Sequence, residues 1–297
     1  MLSKAKINLG LKVLFKRPDN YHEINSIMLK INWGDDILFE PIETKKFELI
    51  SQNELQNDRK KLYNEVSEIG DYTKNILYKT YTLSKTENSK VPGVRIHLTK
   101  RIPPGGGLGG GSSNAASLLS FLFAKPDLNT SMNLVEIASK VGADVPFFLK
   151  EGSAIASGIG EILDDIEISQ GYGVLAIPTF TINTAESFKN LNLTLQNNPT
   201  PNMCNILSDD LKLLLKNADW AELKDKLVND FESYAFRIYP KLKSLKEDFN
   251  SLGCSYASMT GTGSCIYGLV KDFEAQKEVY DSMVLKYPFY QFIKFTF

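Results

Sequence analysis

Hydrophobic and polar residues alternate from Lys4 to Phe15. Ile7, Leu9, Leu11, Val13 and Phe15 fall on one side of an extended chain, and Lys6, Asn8, Gly10 and Lys12 on the other. This period predicts a strand with Lys6 and Asn8 on one face, about 7 Å apart, a spacing that by itself fits a solvated strand face. Arg17-Pro18-Asp19-Asn20 reads as a turn in which Asn20 can take a left-handed conformation. Tyr21-His22 then opens a second strand towards Trp33, and Gly34-Asp35-Asp36 reads as a further turn before Ile37-Leu38-Phe39. Alternation returns at Val94-Arg95-Ile96-His97-Leu98. The period lengthens to that of a helix at Asn75–Leu83. It does so more clearly where Leu134, Ile137, Ala138 and Val141 stand at i, i+3, i+4, i+7, with Ser131 as cap and Gly142 as stop.

Residues 52–73 are polar and poorly periodic, as expected of a surface excursion. Gly152–Gly160 reads as a strand and a crossing, Tyr172–Pro178 as a strand, and Thr184 as the start of a short helix. From Ile206 to Asn250 the pattern is helical, broken near Asp219 and Pro240. Strands at Tyr256 and at Cys265–Val270 flank the turn Ser258–Ser264. A helix over Phe273–Leu285 and a strand over Gln291–Phe297 follow. A strand-rich first half and a helix-rich second half, with adjacent strands early, predict an α+β fold, and 297 residues suffice for two domains.

Charge and cysteine content narrow the function. A formal net charge of -1 provides no basic surplus for a polyanion, which argues against nucleic acid as a partner. Cys204, Cys254 and Cys265 have no paired spacing and, with two histidines, build no zinc site. Lys4, Lys6 and Lys12 interrupt the apolar residues of the N-terminus, so neither a signal peptide nor a membrane span is expected; a cytoplasmic protein fits.

Chemistry concentrates in Lys100–Leu119, KRIPPGGGLGGGSSNAASLL, which holds six of the 20 glycines. It follows a strand, and Ser112-Ser113-Asn114 reads as the cap of a helix through Ala115, Ala116, Leu118 and Leu119. Bare backbone between a strand and a helix start suits phosphate, because N–H groups can approach an anion closely. No lysine follows the glycines, which excludes a Walker A loop. Gly105-x-Gly107-x-x-Gly110 matches the dinucleotide fingerprint only because the run is so glycine-rich, and the protein-kinase signatures are absent. A flexible Gly-Ser linker would not be held between a strand and a helix. Further on, Asp144 in Gly142-Ala143-Asp144-Val145-Pro146-Phe147-Phe148 fits a helix cap as well as a reactive carboxylate.

Pro103–Ser113 resembles the second motif of the GHMP kinases, and Met259–Ser264 resembles their third. Ala5-Lys6-Ile7-Asn8-Leu9, Asp19-Asn20-Tyr21-His22, the glycine loop and Gly142–Phe148 together resemble one branch of that superfamily, with similarity running from Lys4 to about Leu269. Members of this branch phosphorylate the 2-hydroxyl of diphosphocytidyl-methylerythritol with ATP, on the methylerythritol phosphate route to isoprenoid precursors. The resemblance implies an N-terminal ATP-binding domain, 1–155, a C-terminal kinase domain, 156–297, and an active site in the cleft between them. Lys6 and Asp144 correspond to the family's catalytic pair. Pro103, Pro104, Gly105, Gly106, Gly107, Leu108, Gly109, Gly110, Gly111, Ser112 and Ser113 correspond to its ATP loop. Asn8, Tyr21, His22 and Thr184 correspond to substrate positions, with Tyr21 and His22 near the cytosine. Three departures keep every reactive group: Asn20 for a usual glycine, Lys4 for a usual proline, and Thr260 and Thr262 for serines.

The chemistry of the residues agrees with this assignment. Phosphoryl transfer to an alcohol needs positioning, charge neutralisation and a proton acceptor. Asp144 suits the last role, while Lys6 suits orientation and stabilisation of developing charge. Mg2+ would be held mostly by phosphate and water. Another small-molecule GHMP kinase would lack the joint Asp-x-Tyr-His and Gly-Ala-Asp-Val-Pro-Phe-Phe signatures. A non-catalytic ATP sensor would not need both Lys6 and Asp144, and a decarboxylase on this scaffold would need a different substrate pocket.

Overall fold

A computed structural model describes residues 1–43, 46–55, 74–124, 134–191 and 209–297. The expected cap at Ser131, most of the 52–73 excursion, the start of the helical pattern at Ile206 and Cys204 lie outside these residues. Contacts divide the chain into two compact units. Unit 1 comprises Met1–Ala5, Trp33–Pro104 and Gly109–Glu151, and unit 2 comprises Lys6–Asn32, Gly105–Leu108 and Gly152–Phe297. Helices and antiparallel-rich sheets are mixed in both, as expected of an α+β fold.

In unit 1, the second part of β2 (His22–Ile42) pairs antiparallel with β4 (Gly93–Lys100), with Asp36 opposite Thr99 and Ile42 opposite Gly93. On the other side of β4 lies β3 (Phe47–Asn53), which runs parallel to it. Ile37, Phe39, Val94, Ile96 and Leu98 point from these strands onto Leu77 and Tyr81 of α1 (Ile76–Glu87) and Leu118 and Leu122 of α2 (Gly110–Leu122). An adjacent face of α2, Ala115, Ala116 and Leu119, packs against Ile137, Ala138 and Val141 of α3 (Leu134–Val141) and Val145 of α4 (Val145–Leu149). α2 therefore buries a broad apolar arc between two sets of neighbours, and its Ser113, Asn114 and Ser117 are buried as well.

The turn expected at Gly34 does not form, because β2 runs through it without a break. Gly34 is required there for close approach: a Cβ would lie 2.0 Å from the backbone oxygen of Ser3. The adjacent Asp35 is fully buried and collects four donors. The backbone N–H groups of Arg101 and Ile102 each donate to its Oδ1 at 2.7 Å, Asn114 Nδ2 donates to Oδ2 at 2.9 Å, and the Lys100 ammonium pairs with Oδ2. Burial pushes the Lys100 pKa down, and the Asp35 carboxylate opposes that shift.

In unit 2, β1 (Leu2–Lys16), whose residues from Lys6 onward belong to this unit, pairs with β2. The earlier part of β2 also pairs with β5 (Ser153–Ser157), and β5 pairs with β6 (Ile162–Ile166). A second, antiparallel sheet has the order β10-β7-β9-β8, with β7 at Tyr172–Ile177, β8 at Tyr256–Met259, β9 at Ile266–Val270 and β10 at Gln291–Thr296. The helices of this unit are α5 (Thr184–Lys189), α6 (Asp209–Lys216), α7 (Trp220–Leu223), α8 (Glu232–Ile238), α9 (Pro240–Ser251) and α10 (Phe273–Lys286). Leu242, Leu245 and Phe249 of α9 and Val279 and Met283 of α10 join Val174, Ala176, Ile266 and Val270 in its core. The helical pattern also breaks over 225–231, where no interruption is expected from periodicity, because that stretch pairs with β1 through Leu11.

Removing one member of the buried Asp35–Lys100 pair leaves the other charge without compensation. Asp35→Ala should cost about 3–5 kcal/mol in urea unfolding, whereas the double change Asp35→Leu with Lys100→Met should cost less than the single one.

Candidate active site

Lys6 and Asn8 do not form a solvated strand face. They are 4% and 1% exposed. Lys6 Nζ donates to Asn8 Oδ1 at 2.5 Å, and the Lys6 backbone N–H donates to the Leu108 carbonyl of the glycine loop at 3.0 Å. Asn8 Oδ1 also accepts from the Gly261 N–H at 3.0 Å, and Asn8 Nδ2 donates to Ser26 Oγ at 2.8 Å. The backbone N–H of Asn8 donates to Thr260 Oγ1 at 3.1 Å, and its backbone carbonyl accepts from Tyr267 OH at 2.7 Å. Asn8 is thus held on every side by protein groups.

Within unit 2 the two glycine turns meet through bare backbone. Gly107 has φ +76°, and a Cβ there would lie 2.1 Å from the Thr260 carbonyl oxygen. Gly261 has φ +57° and faces the Gly107 Cα at 3.0 Å from its own would-be Cβ. Thr260 Oγ1 lies 3.1 Å from the Gly107 carbonyl oxygen. The hydroxyls kept at Thr260 and Thr262 are both engaged, Thr262 with Thr184 at 3.0 Å. Gly105, φ +63°, sits against the Thr181 side chain.

The rest of the loop, Pro103, Pro104 and Gly109–Ser113, belongs to unit 1. Here the expected cap is corrected. α2 begins at Gly110 with Gly109 as its N-cap in the left-handed region, and no side chain caps it. Ser113 and Asn114 lie inside the helix and are buried, with Ser113 Oγ accepting from Ser3 Oγ at 2.8 Å. Glycines can start the helix earlier than the hydroxyls because Gly109 adopts φ +68° without strain. The first-turn N–H groups are therefore left without a capping side chain, the arrangement that suits an anion.

Asp144 occupies the N-cap position of α4, yet its carboxylate makes no capping hydrogen bond, and its backbone is in the right-handed helical region (φ -81°, ψ -10°). Its position in unit 1 is held by the adjoining Val145, Pro146 and Phe147, all buried.

The turn before β2 forms as expected, with Asn20 at φ 68°. Tyr21 N–H donates to Asp19 Oδ1 at 3.0 Å, and the Tyr21 ring is 59% exposed. His22 stacks on Phe188, ring centroids 4.7 Å apart and 23° from parallel. Burial, helped by Lys16, pushes the His22 pKa below its usual 6.5. Periodicity did not single out Phe188, nor Asn229 and Glu232, which brace the third-motif turn. The only signal for the latter pair was an Asn-Asp dipeptide inside an apparently helical run.

The sequence models of the GHMP kinases match this chain twice, the N-terminal domain over residues 75–152 and the C-terminal domain over 211–288. A homoserine kinase structure from Cytophaga hutchinsonii shares the fold at 16% identity, TM-score 0.68, covering 100% of this chain and 95% of that one. The 4-diphosphocytidyl-2-C-methyl-D-erythritol kinase of Leptospira interrogans serogroup Icterohaemorrhagiae serovar copenhageni is 48% identical over 100% of both chains. That of Leptospira biflexa is 37% identical over 100% of this chain and 98% of the other. A crystal structure of 4-(cytidine 5'-diphospho)-2C-methyl-D-erythritol kinase superimposes with a TM-score of 0.77 at 28% identity, covering 100% of this chain and 98% of that one. The chain belongs to the GHMP kinases, in the family of the 4-diphosphocytidyl-2-C-methyl-D-erythritol kinases. Membership implies ATP as phosphoryl donor. No helix among the described residues is long and apolar enough to cross a membrane.

Two outcomes follow from this geometry. Gly107→Ala meets both a positive φ and the Thr260 backbone, whereas a Cβ at Gly111 meets only Ile76 Cγ2 at an ordinary 3.5 Å. In nucleotide titrations Gly107→Ala should bind ATP much more weakly than the parent, and Gly111→Ala should keep the parent melting temperature. For His22 the folded pKa lies below the unfolded one, so the unfolded chain binds its proton first as pH falls. The His22 contribution to stability should be complete above about pH 6.5 and decline below it. An NMR titration of the His22 ring that shows a midpoint at or above that of a free histidine would contradict this.

Proposed function

We propose that this protein transfers the γ-phosphoryl group of ATP to the 2-hydroxyl of 4-diphosphocytidyl-2-C-methyl-D-erythritol, giving the 2-phosphate and ADP, on the methylerythritol phosphate route to isoprenoid precursors. The observation that carries this reading to particular residues is the hydrogen-bonded set Lys6, Asn8, Thr260, Gly261 and Gly107, which ties a buried ammonium to the phosphate loop. In this reading residues 1–155 form the ATP-binding domain and 156–297 the C-terminal kinase domain. The enzyme works in the cytoplasm on a small molecule, with no nucleic acid or membrane partner.

Lys6 and Asp144 form the catalytic pair. The Asp144 carboxylate accepts the proton of the 2-hydroxyl as the hydroxyl oxygen bonds to the γ-phosphorus. The bond from the γ-phosphorus to the bridging oxygen of ADP breaks in the same event. Lys6 orients the hydroxyl and offsets the negative charge that develops on the transferring group. Pro103–Ser113 holds the phosphates, mainly through glycine N–H groups and the uncapped first turn of α2. Asn8, a substrate position by resemblance, has its amide engaged by protein groups and in this reading acts by holding Lys6. Tyr21 and His22 offer ring faces to the cytosine, and Thr184 lies on the substrate side.

Among the described residues no three His, Cys, Asp or Glu side chains cluster to hold a metal. Mg2+ would be carried on phosphate and water with at most a hydroxyl of Ser112 or Ser113, where it would neutralise phosphate charge.

The direct test is ADP release from ATP and magnesium with diphosphocytidyl-methylerythritol, homoserine, mevalonate and galactose offered separately. Turnover confined to the first is expected, and none with any acceptor would refute the reading. Because asparagine caps as well as aspartate and keeps its shape, Asp144→Asn should fold as the parent does. Its kcat, and that of Lys6→Met, should fall by at least about a hundredfold, with less than multiplicative loss in the double variant. An Asp144→Asn enzyme that turns over within a few-fold of the parent would remove the proton-acceptor role.

A further inference from the structure

We propose that Asn229 is a positioning residue for phosphoryl transfer, acting through the third-motif turn on Asn8, Lys6 and Gly107; the proposal rests on the kinase reading above. Asn229 lies in the non-helical stretch between α7 and α8 and is 3% exposed. Its Nδ2 donates to two carbonyls, those of Met259 and Gly261, both at 2.8 Å. Its Oδ1 accepts from the Phe231 N–H at 3.0 Å, so the orientation of the amide is set.

The two carbonyls flank Thr260. Between them they decide where the Gly261 N–H points, and that N–H donates to Asn8 Oδ1, the atom that also receives Lys6 Nζ. Thr260 Oγ1 in turn lies against the Gly107 carbonyl. The base of the clamp is equally well anchored. Leu11 N–H donates to the Val228 carbonyl at 3.0 Å, Asp230 N–H donates to the Leu11 carbonyl at 2.9 Å, and Val13 N–H donates to Asp230 Oδ2 at 2.9 Å. Leu11 and Asn8 share β1, so the circuit closes: β1 to 228–230, through the Asn229 amide to the turn, and from the turn back to Asn8. Glu232 Oε1 adds a second brace by accepting from the Met259 N–H at 2.9 Å.

Two converging carbonyls need a donor with two hydrogens at fixed separation, which a primary amide supplies and a carboxylate of the same shape does not. A carboxylate at this position would set negative charge against both oxygens. A shorter hydroxyl could satisfy at most one of them, leaving the other buried and unpaired. In either case the Gly261 N–H loses its aim at Asn8 Oδ1.

The test compares Asn229→Asp and Asn229→Ser with the parent, assayed with ATP, magnesium and diphosphocytidyl-methylerythritol well below each melting temperature. Misplacement of catalytic groups by about 1 Å costs up to about a hundredfold, so kcat should fall between about tenfold and a hundredfold. The KM for the diphosphocytidyl substrate should change little, since Tyr21, His22 and Phe188 are outside this circuit. In a Lys6→Met background the same substitutions should cost much less than in the parent, because the ammonium they position is gone and only the contact with Gly107 remains. A lowered melting temperature with parental kcat per folded molecule would overturn the proposal. So would losses that multiply with Lys6→Met, or failure of both variants to fold, since each makes Asn229 a purely structural residue. A parent protein that phosphorylates no acceptor would refute the kinase reading itself and is distinguished from these results by the parent assay alone.

Discussion

A buried ammonium is tolerated only where acceptors are fixed around it, and here the amide of Asn8 supplies one. Its Oδ1 has two lone-pair directions, used by Lys6 Nζ and the Gly261 N–H. Its Nδ2 donates to Ser26 Oγ, whose hydroxyl in turn donates to the Gly10 carbonyl. The amide cannot be turned over without reversing all of these bonds. The position of Lys6 is thereby set through Asn8 by Gly261, which is 253 positions from Asn8 along the chain. Two more groups of unit 2 brace this arrangement, the phenol of Tyr267 on the Asn8 carbonyl and the amide of Asn229 behind the turn.

Backbone proximity is the second constraint. Gly107 and Gly261 approach so closely that neither turn has space for a side chain, and both also need a left-handed backbone. Two demands on one residue type leave glycine alone as a solution. Gly109 shows the same economy in unit 1, where its positive φ starts α2 without a side-chain cap. In unit 1 the buried Asp35 grips the two N–H groups that lead into the loop, Arg101 and Ile102, together with Asn114 of α2.

Local pattern was enough to read most elements of secondary structure: the strand from Lys4, the left-handed Asn20, the helix ending at Gly142, and the strand-turn-strand around Thr260–Ser264 are where periodicity and turn chemistry place them. It failed where a distant partner changes what a residue is for. Gly34 looks like a turn until Ser3 is seen against its backbone. Ser112-Ser113-Asn114 looks like a cap until Ser113 and Asn114 are found buried on α2, one on Ser3 and the other on Asp35. Strand β3 carries too weak an alternation to be found without β4 beside it.

The order and spacing of the motifs, read as sequence, determined the family, because reactive groups and bare-backbone turns leave residue types that survive without coordinates. What only tertiary structure decided is the state of those groups. Spacing cannot tell a solvated Lys6 from one that is 4% exposed, or a capping Asp144 from one whose carboxylate makes no cap bond. Nor can it find Asn229, since an asparagine within a helical run has no local mark of the two carbonyls it holds. The physical reason is that burial and hydrogen-bond partnership are set by groups far away in the chain, whereas periodicity reports only on neighbours.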